Sequence, residues 1–149
     1  MWRPATKSDD DAIVRSSLAL FTEDPSPERV DEAQVRRTLV ALRGEPLRGR
    51  AIVLEEDGAI LGHAFLIAFW SNELGGDVCT IDELYVAPSA RTKGHASALI
   101  EALARGQLYP GAVALQLEVT PQNARALALY KKLGFDGKNV GLRRRVIRS

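Results

Sequence analysis

The fold is indicated by one stretch near the middle of the chain, Ile81-Asp-Glu-Leu-Tyr-Val-Ala-Pro-Ser-Ala-Arg-Thr-Lys-Gly-His-Ala-Ser-Ala-Leu-Ile100. Its first part, through Val86, is predicted to be a strand that Pro88 ends. Its last part, from Gly94, places apolar residues at helical spacing. The turn between them reads Arg-x-x-Gly-x-Ala. The stretch therefore predicts a strand that leads through a short turn into a helix.

This turn has the features of a phosphate site. The first N–H groups of a helix lack intrahelical partners, and the helix dipole adds positive charge behind them. Gly94 and Ala96 keep side chains small where a diphosphate must approach the backbone, and Arg91 and Lys93 add charge. The pattern matches neither the P-loop nor the dinucleotide fingerprint. By itself, a capped helix with a basic first turn explains it slightly better.

Outward from this stretch, the predicted element order is β-α-α-β-β-β-α-β-α-β, a mixed α+β domain. Ser8 is predicted to cap the first helix and Pro27 to begin the second. Glu56-Asp57-Gly58 predicts a hairpin turn. The last helix is predicted to run from Pro121 to Leu133, and residues 135–147 to form a terminal β hairpin or strand pair.

A second segment, residues 120–135, makes the phosphate interpretation stronger. Asn123 and Tyr130 are two helical turns apart and lie on the same side of the predicted helix. Each residue alone has a simpler explanation, as a helix cap or as a half-buried aromatic. Both together, in a segment that ends Tyr-Lys-Lys-Leu-Gly-Phe, are much harder to explain in that way.

The two segments together resemble the acetyl-CoA-binding core of GNAT-type N-acetyltransferases, over roughly residues 78–135. The element order fits that fold over nearly the whole chain. The resemblance implies an α+β fold whose central, mixed and mostly antiparallel sheet is flanked by helices. It also implies that the fourth strand is bulged and diverges from the fifth to admit acetyl-CoA, the co-substrate.

The resemblance also implies a set of cofactor-binding residues along these segments: Leu84, Tyr85, Val86, Arg91, Thr92, Lys93, Gly94, His95, Ala96, Ser97, Asn123 and Tyr130. The amides of residues 92–97 would hold the pyrophosphate, helped by Arg91. The main chain of residues 84–86 would pair with the pantetheine arm, and Asn123 would hydrogen-bond it. Tyr130 would protonate the departing thiolate. The family often has glycine where this chain has Thr92, and an aliphatic residue where it has His95.

Amine acetylation also needs a base, and Asp82 and Glu83 are the catalytic candidates beside Tyr130. Consecutive strand residues point to opposite faces, so only one acid faces the acceptor unless the bulge rotates them. The sequence does not choose between them, and a solvated strand end is the alternative. Direct attack requires no enzyme nucleophile, so Cys79 is predicted to be a small buried strand residue.

Charge suggests the acceptor. The net charge is −7 over residues 1–90 and +8 over residues 91–149. The basic half contains the proposed site for the anionic coenzyme, so the acidic half is predicted to receive a small cationic amine. The candidate pocket residues are Phe21, Glu23, Asp24, Trp70, Ser71, Asn72 and Glu73.

Composition limits the other possibilities. The chain has 149 residues, 46% of them hydrophobic, which predicts one domain over residues 1–149. No apolar run is long enough for a membrane span, and the N-terminus shows no signal peptide. One cysteine and two histidines argue against a metal site. The expectation is a cytoplasmic, metal-free protein, in a family where homodimers are common.

Three alternatives stay open beside a small-molecule acetyltransferase. The first is a protein or peptide acetyltransferase with the same core. The second is a non-catalytic CoA-binding regulatory module. The third is a nucleic-acid binder, suggested by Arg143-Arg144-Arg145 and Arg148. It is disfavoured because no nucleic-acid motif accompanies these arginines.

Overall fold

A computed structural model describes residues 1–138 and 140–147. In chain order, the helices and strands are β1 (Trp2–Pro4), α1 (Asp10–Glu23), α2 (Glu32–Gly44), β2 (Gly49–Glu56), β3 (Ala59–Ser71), β4 (Gly76–Val86), α3 (His95–Ala104), β5 (Ala114–Leu117) and α4 (Ala124–Lys132). Short 3-10 turns lie at Lys7–Asp9 and Pro88–Ala90.

The strands of this described part form one mixed sheet in the order β1-β2-β3-β4-β5. The first four are antiparallel to their neighbours, and β5 pairs with β4 in parallel. The predicted α+β class and the mostly antiparallel mixed sheet are therefore confirmed. By internal contacts, the chain divides into two compact units, residues 1–118 and residues 119–149.

One face of the sheet is covered by α1 and α2. Ile13 and Val14 of α1 and Leu39 of α2 are almost fully buried and belong to one cluster with Val53 and Phe65 of the sheet. Burying each such side chain contributes about 1.5–3 kcal/mol. This packing fixes α1 over β3 and β4, the strands that the candidate site uses, and α2 over β2.

The opposite face is covered by α3. Leu99 and Leu103 of this helix are buried. Trp2 lies opposite Leu54 in the β1–β2 register, and its indole Nε1 donates a 2.8 Å hydrogen bond to the carbonyl of His95. The first strand thereby holds the N-terminal turn of α3 in place.

Three predicted helix starts are wrong. The last helix begins at Ala124, with Asn123 as its N-cap, and not at Pro121. The first helix is preceded by a 3-10 turn capped by Thr6, and Asp9, not Ser8, is the N-cap of α1. The second helix begins at Glu32, not at Pro27, because Asp31 and Gln34 form a reciprocal capping box there. A box that satisfies two backbone donors outweighs the weaker preference of proline for the first turn.

The predicted terminal hairpin is also wrong for the described residues. Between 135 and 147, none of them lies in a strand. Val140, Leu142, Val146 and Ile147 are at least 78% exposed, so no buried face compensates the entropy of ordering this segment. Asn139, inside the predicted range, and Arg148 lie outside the described residues.

Candidate active site

The centre of the candidate site is an irregularity in β4. In the β3–β4 ladder, Phe65 is opposite Glu83 and Leu66 is opposite Ile81, which leaves Asp82 as an extra residue in β4. An extra residue of this kind is a β-bulge, and it changes the direction in which the following side chains point. The bulge that the family resemblance implied is therefore present.

The bulge brings Glu83 under α1. Its Oε1 accepts a 2.9 Å hydrogen bond from the hydroxyl of Ser17, a buried residue of α1. The same Oε1 lies 2.9 Å from Nε2 of His63, which is fully buried on β3. The side chain of Glu83 is 11% exposed. It is thus a largely desolvated carboxylate held by two polar neighbours.

Asp82 is exposed, and it lines an open cleft of about 530 Å³ between α2 and the sheet. The cleft wall includes Thr38 and Leu42 of α2, Ile67 and Phe69 of β3, and Gln116 of β5. None of the seven predicted pocket residues is among those that line it. The second helix closes one side of this cleft, and no residue of α1 is among those that line it.

Beyond the bulge, β4 has an open edge. β5 pairs with β4 from Val78 to Ile81 only, whereas β4 continues to Val86. On its other side, the predicted cofactor strand stays paired with β3, with Leu84 opposite Ala64 and Val86 opposite Gly62. In the part of the chain that the structure describes, no strand covers residues 82–86 on the β5 side. This edge offers main-chain groups to an extended ligand.

The turn after β4 leads into α3 as predicted. Gly94 is the N-cap of α3 and has a left-handed backbone, with φ +81°. The first helical bond runs from Ala98 N–H to the Gly94 carbonyl. The amides of residues 95–97 precede that bond and are the unpaired donors of a helix start. Space is open around the Gly94 α-carbon. A phosphate can therefore approach this turn closely.

Thr92 and Lys93 occupy the middle of the turn. Thr92 has φ +64°, a left-handed conformation that is strained for a β-branched residue, and its hydroxyl donates to the Arg91 carbonyl at 2.6 Å. This geometry explains why glycine is the favourable residue here. Lys93 is exposed, and His95, at the first helical position, is half-buried. Ala96 and Ser97 complete the first turn of α3.

Arg91 does not point freely into solvent. Its Nη2 forms a 2.6 Å ion pair with Oε2 of Glu23, the last residue of α1. Its Nε donates to the Val86 carbonyl at 2.8 Å, and its guanidinium lies 5.5 Å from the ring centre of Tyr85. The pKa of Tyr85 is raised, mainly by burial and to a lesser extent by the negative charge of Glu23. Both ion-pair partners are about 40% exposed, so the pair is of the weak, solvent-screened kind.

The unit formed by residues 119–149 contains the other two predicted residues. Asn123 is the N-cap of α4, and its Oδ1 accepts from Ala126 N–H at 3.2 Å. Tyr130 is half-buried, and its ring packs edge-to-face with that of Phe135, with the ring centres 5.8 Å apart. Burial raises the pKa of Tyr130, so its hydroxyl keeps its proton at neutral pH.

Cys79 is fully buried in β4, and burial raises its pKa to about 12. A thiol in this state is not a nucleophile. Among the described residues, no group of three or more potential ligands is placed to hold a metal ion. Within that same part of the chain, every helix is too short or too polar to cross a membrane.

The sequence profile of the acetyltransferase (GNAT) family matches residues 13–135, which is most of the chain. The chain belongs to the GNAT family.

Individual relatives agree with this assignment. This GNAT chain is 29% identical over 85 residues to the uncharacterized N-acetyltransferase YhfO of Bacillus subtilis (strain 168), a match that covers 57% of each protein. The aligned part thus spans little more than half the length of that curated relative. Among solved structures, a possible acetyltransferase from Clostridium difficile 630 has a TM-score of 0.83 at 20% identity, over 100% of this chain and 98% of that one.

A second solved structure with the same fold is an aminoglycoside N-acetyltransferase, AAC(6')-Iy, in complex with CoA. It has a TM-score of 0.76 at 20% identity and covers 98% of this chain and 93% of its own. At this identity, the likeness shows the fold.

Two polar residues of this GNAT chain, Ser17 and His63, were missed at the sequence level. Glu23 was predicted to line the acceptor pocket, not to pair with Arg91. A signal existed for His63, because it is a lone ionisable residue inside the apolar strand Ala59–Ser71 and must find a polar partner. Ser17 interrupts the buried side of α1 four residues after Ile13. Nothing in the sequence pairs Glu23 with Arg91, because that contact joins residues 68 positions apart.

Proposed function

We propose that this protein is an acetyl-CoA-dependent N-acetyltransferase that transfers the acetyl group directly to a primary amine of a small, cationic molecule. The observation that carries the proposal is the bulge at Asp82. It coincides with the place where β4 loses its pairing with β5, and it directs Asp82 and Glu83 toward the α1–α2 layer. An open strand edge for the pantetheine arm thus ends beside two carboxylates and a cleft.

The residues present fit acetyl-CoA, the acetyl donor. The open edge of residues 84–86 supplies main-chain donors and acceptors, and the start of α3 supplies amides for a diphosphate. Lys93 adds positive charge, and Arg91 adds more when it exchanges Glu23 for phosphate. Asn123 and Tyr130 are assigned to the pantetheine and the sulfur by their place in the family motif.

The reaction joins amine and thioester in one ternary complex. The neutral amine nitrogen attacks the thioester carbonyl carbon, and the C–N bond forms as the C–S bond breaks. The proton lost by the amine goes to Glu83 or, through water, to Asp82. The thiolate takes a proton from Tyr130, and main-chain N–H groups at the bulge stabilise the oxyanion. Positioning supplies much of the rate, so no covalent intermediate is required.

The acceptor is assigned from the cleft. Asp82 is a negative group at its sheet wall, while Leu42, Ile67 and Phe69 give it apolar walls. Arg48 also lines the cleft, and its guanidinium is paired with Glu45. Such a site suits an amine with an apolar portion. The relative with CoA is named for aminoglycosides, which are small polycations, and this supports a small cationic amine here. A protein or peptide acceptor and a purely CoA-binding role are the alternatives.

The test is a turnover screen with acetyl-CoA against polyamines, aminoglycosides, amino acids and peptides, followed by the mass of the product. Amine-dependent CoA release and a product heavier by one acetyl group are expected for a small amine. Turnover with peptides alone would establish the alternative acceptor. Heat of CoA binding without turnover by any amine would indicate the binding module, and no heat of binding would overturn the proposal. A single domain, a cytoplasmic location and a homodimer stay predictions.

A further inference from the structure

One buried polar residue is not used by the proposed reaction as described so far. His63 is fully buried in the middle of β3, and its Nε2 is 2.9 Å from Oε1 of Glu83. Its Nδ1 is buried and has no hydrogen-bond partner in the described part of the chain. The rings of Phe65 and Tyr85 lie 5.2 Å and 6.3 Å from the imidazole. The histidine therefore has one polar contact, and that contact is with a candidate base.

The missing partner at Nδ1 selects between the two neutral tautomers of the imidazole. A buried N–H donor without an acceptor costs about 1–3 kcal/mol, whereas a buried acceptor lone pair is tolerated more readily. In the neutral imidazole, a proton on Nδ1 would be unsatisfied and would also leave two lone pairs facing each other across the Nε2–Oε1 contact. The neutral tautomer with the proton on Nε2 avoids both costs. In this state, His63 donates to Glu83.

The second donor comes from α1. The hydroxyl of Ser17 donates to the same Oε1 at 2.9 Å, so both of these hydrogen bonds fall on one carboxylate oxygen. Two donors from two different elements fix the rotation of the carboxylate. Oε2 is left as the oxygen that can accept a proton. A base held in one orientation needs no reorganisation before it acts.

We propose that His63 is a positioning residue for Glu83, which is the base of the reaction. This inference rests on the proposed function and goes beyond it. It chooses Glu83 over Asp82 as the base, and it assigns His63 as the hydrogen-bond donor that orients Glu83. His63 contacts neither substrate. It acts by donating to Oε1, together with Ser17, so that Oε2 receives the proton from the amine.

The test compares two variants with the amine substrate that the screen identifies. His63→Leu removes the donor and keeps the volume apolar, whereas His63→Gln places an amide N–H at the reach of Nε2. A positioned base contributes about 10²–10⁴-fold, and loss of its orientation is expected to lower kcat about 10- to 100-fold in the leucine variant. KM for both substrates should change less than about 2-fold, since His63 contacts neither substrate. The glutamine variant should recover most of kcat.

A double variant distinguishes positioning from general damage to the core. If His63 acts through Glu83, His63→Leu combined with Glu83→Gln should be no slower than Glu83→Gln alone. Calorimetry with CoA checks that each variant is folded and binds the donor. Equal kcat in wild type and His63→Leu, or additive losses in the double variant, would overturn the positioning role while leaving the acetyltransferase intact.

If the leucine variant fails to fold, a measurement that does not depend on turnover still tests the role of His63. The chain has two histidines, so nitrogen NMR of the imidazoles is easily assigned with a His95→Gln variant. The expected spectrum shows a buried imidazole with its proton on Nε2, and a perturbed Nε2 signal in Glu83→Gln. A proton on Nδ1 would contradict the inference. Absence of CoA binding and of turnover in the wild type would instead contradict the proposed function, and this inference with it.

Discussion

Asp82 and Glu83 are consecutive residues of β4, yet both of their side chains lie on the side of the sheet that α1 and α2 cover. Asp82 lines the cleft beside Leu42 of α2, and Glu83 contacts Ser17 of α1. In a regular strand, consecutive side chains alternate between faces. The bulge at Asp82 removes this alternation. The protein thereby brings two carboxylates of different exposure to one side.

The two acids are expected to differ in their effect on turnover. Glu83→Gln should lower kcat by about 10²-fold or more, because the base is lost. Asp82→Asn is the matched control, since it removes the same charge one residue away. It should mainly raise KM for a cationic amine. Steady-state kinetics with the amine identified by the screen measures both effects.

The reverse ranking would identify Asp82 as the base and would leave Glu83 with a structural role. Unchanged turnover in both variants would reject a carboxylate base on β4. Calorimetry with CoA should give similar heats for both variants, which shows that the donor site is intact.

Glu23→Gln is expected to tighten CoA binding. In the wild type, Glu23 holds Nη2 of Arg91 at 2.6 Å, so a diphosphate must compete with it. The exposed ion pair is worth about 0–1 kcal/mol, so the expected gain in affinity is at most about 5-fold. Asp24→Asn is the control, because it removes the same charge at the neighbouring position.

Calorimetry at low and at moderate salt measures this change. The difference between the Glu23→Gln and Asp24→Asn proteins should shrink as salt increases, since screening weakens the competing pair. Equal affinities in these two variants would contradict a competition between Glu23 and the diphosphate for Arg91.

Thr92→Gly is expected to stabilise the fold. A non-glycine residue in the left-handed region costs about 1–2 kcal/mol, while a new glycine adds about 0.4–1 kcal/mol of unfolded-state entropy. The net expectation is a gain of up to about 1 kcal/mol in the free energy of unfolding, measured by urea denaturation. Ser89→Gly, in the same connection but outside the left-handed region, should be neutral or destabilising. A loss of stability in Thr92→Gly would show that the Thr92 hydroxyl bond outweighs the strain.

Asn123 has a capping role and a proposed pantetheine-binding role, and substitution separates the two. Its Oδ1 caps α4, and its amide N–H groups are the donors assigned to the pantetheine arm. Asn123→Asp keeps the cap, so thermal stability should hardly change, but KM for acetyl-CoA should rise several-fold. Asn123→Ala should also lose about 1 kcal/mol of stability, the usual cost of removing a cap. An unchanged KM in Asn123→Asp would reduce Asn123 to a capping residue.

Acid stability should depend on Asp9. The hydrogen bonds from Arg3 lower the pKa of this buried carboxyl from an ordinary 3.8 to about 2. A lowered folded-state pKa stabilises the protein above the ordinary value, and this contribution is lost as pH falls from about 4 to 2. Asp9→Asn should therefore cost about 1–2 kcal/mol at neutral pH and almost nothing near pH 2. Asp11→Asn, at an exposed site, should show no such pH dependence in urea titrations.

Local sequence signals predicted most of the fold. The turn at Glu56-Asp57-Gly58 separates β2 from β3 as predicted, β4 ends at Val86 as predicted, and Gly94 marked the start of α3 correctly. The α2 start was missed because two capping signals compete within residues 26–34, and the reciprocal box of Asp31 and Gln34 outweighs the proline signal. The terminal segment alternates weakly around three arginines, and it finds no buried face among the described residues.

The candidate site was predicted in part. The sequence indicated Asp82 and Glu83 as acids but not which faces they occupy, because a bulge depends on the register between two strands. His63 and Ser17 were invisible as partners of Glu83, since they are 20 and 66 positions away in the chain. A sequence motif identifies residues that act together with their neighbours along the chain. A motif does not identify contacts between residues that are distant in the chain and meet only in the folded sheet.

The burial of Cys79 has a practical benefit for all of these assays. It is the single cysteine of the chain, and its thiol is enclosed in β4 with a pKa raised to about 12. A chromogenic disulfide reagent reacts with thiolates. Added to the native enzyme, it should therefore read liberated coenzyme with no background from protein. A cysteine engineered onto the cleft rim would likewise be the sole labelling position for a spectroscopic reporter.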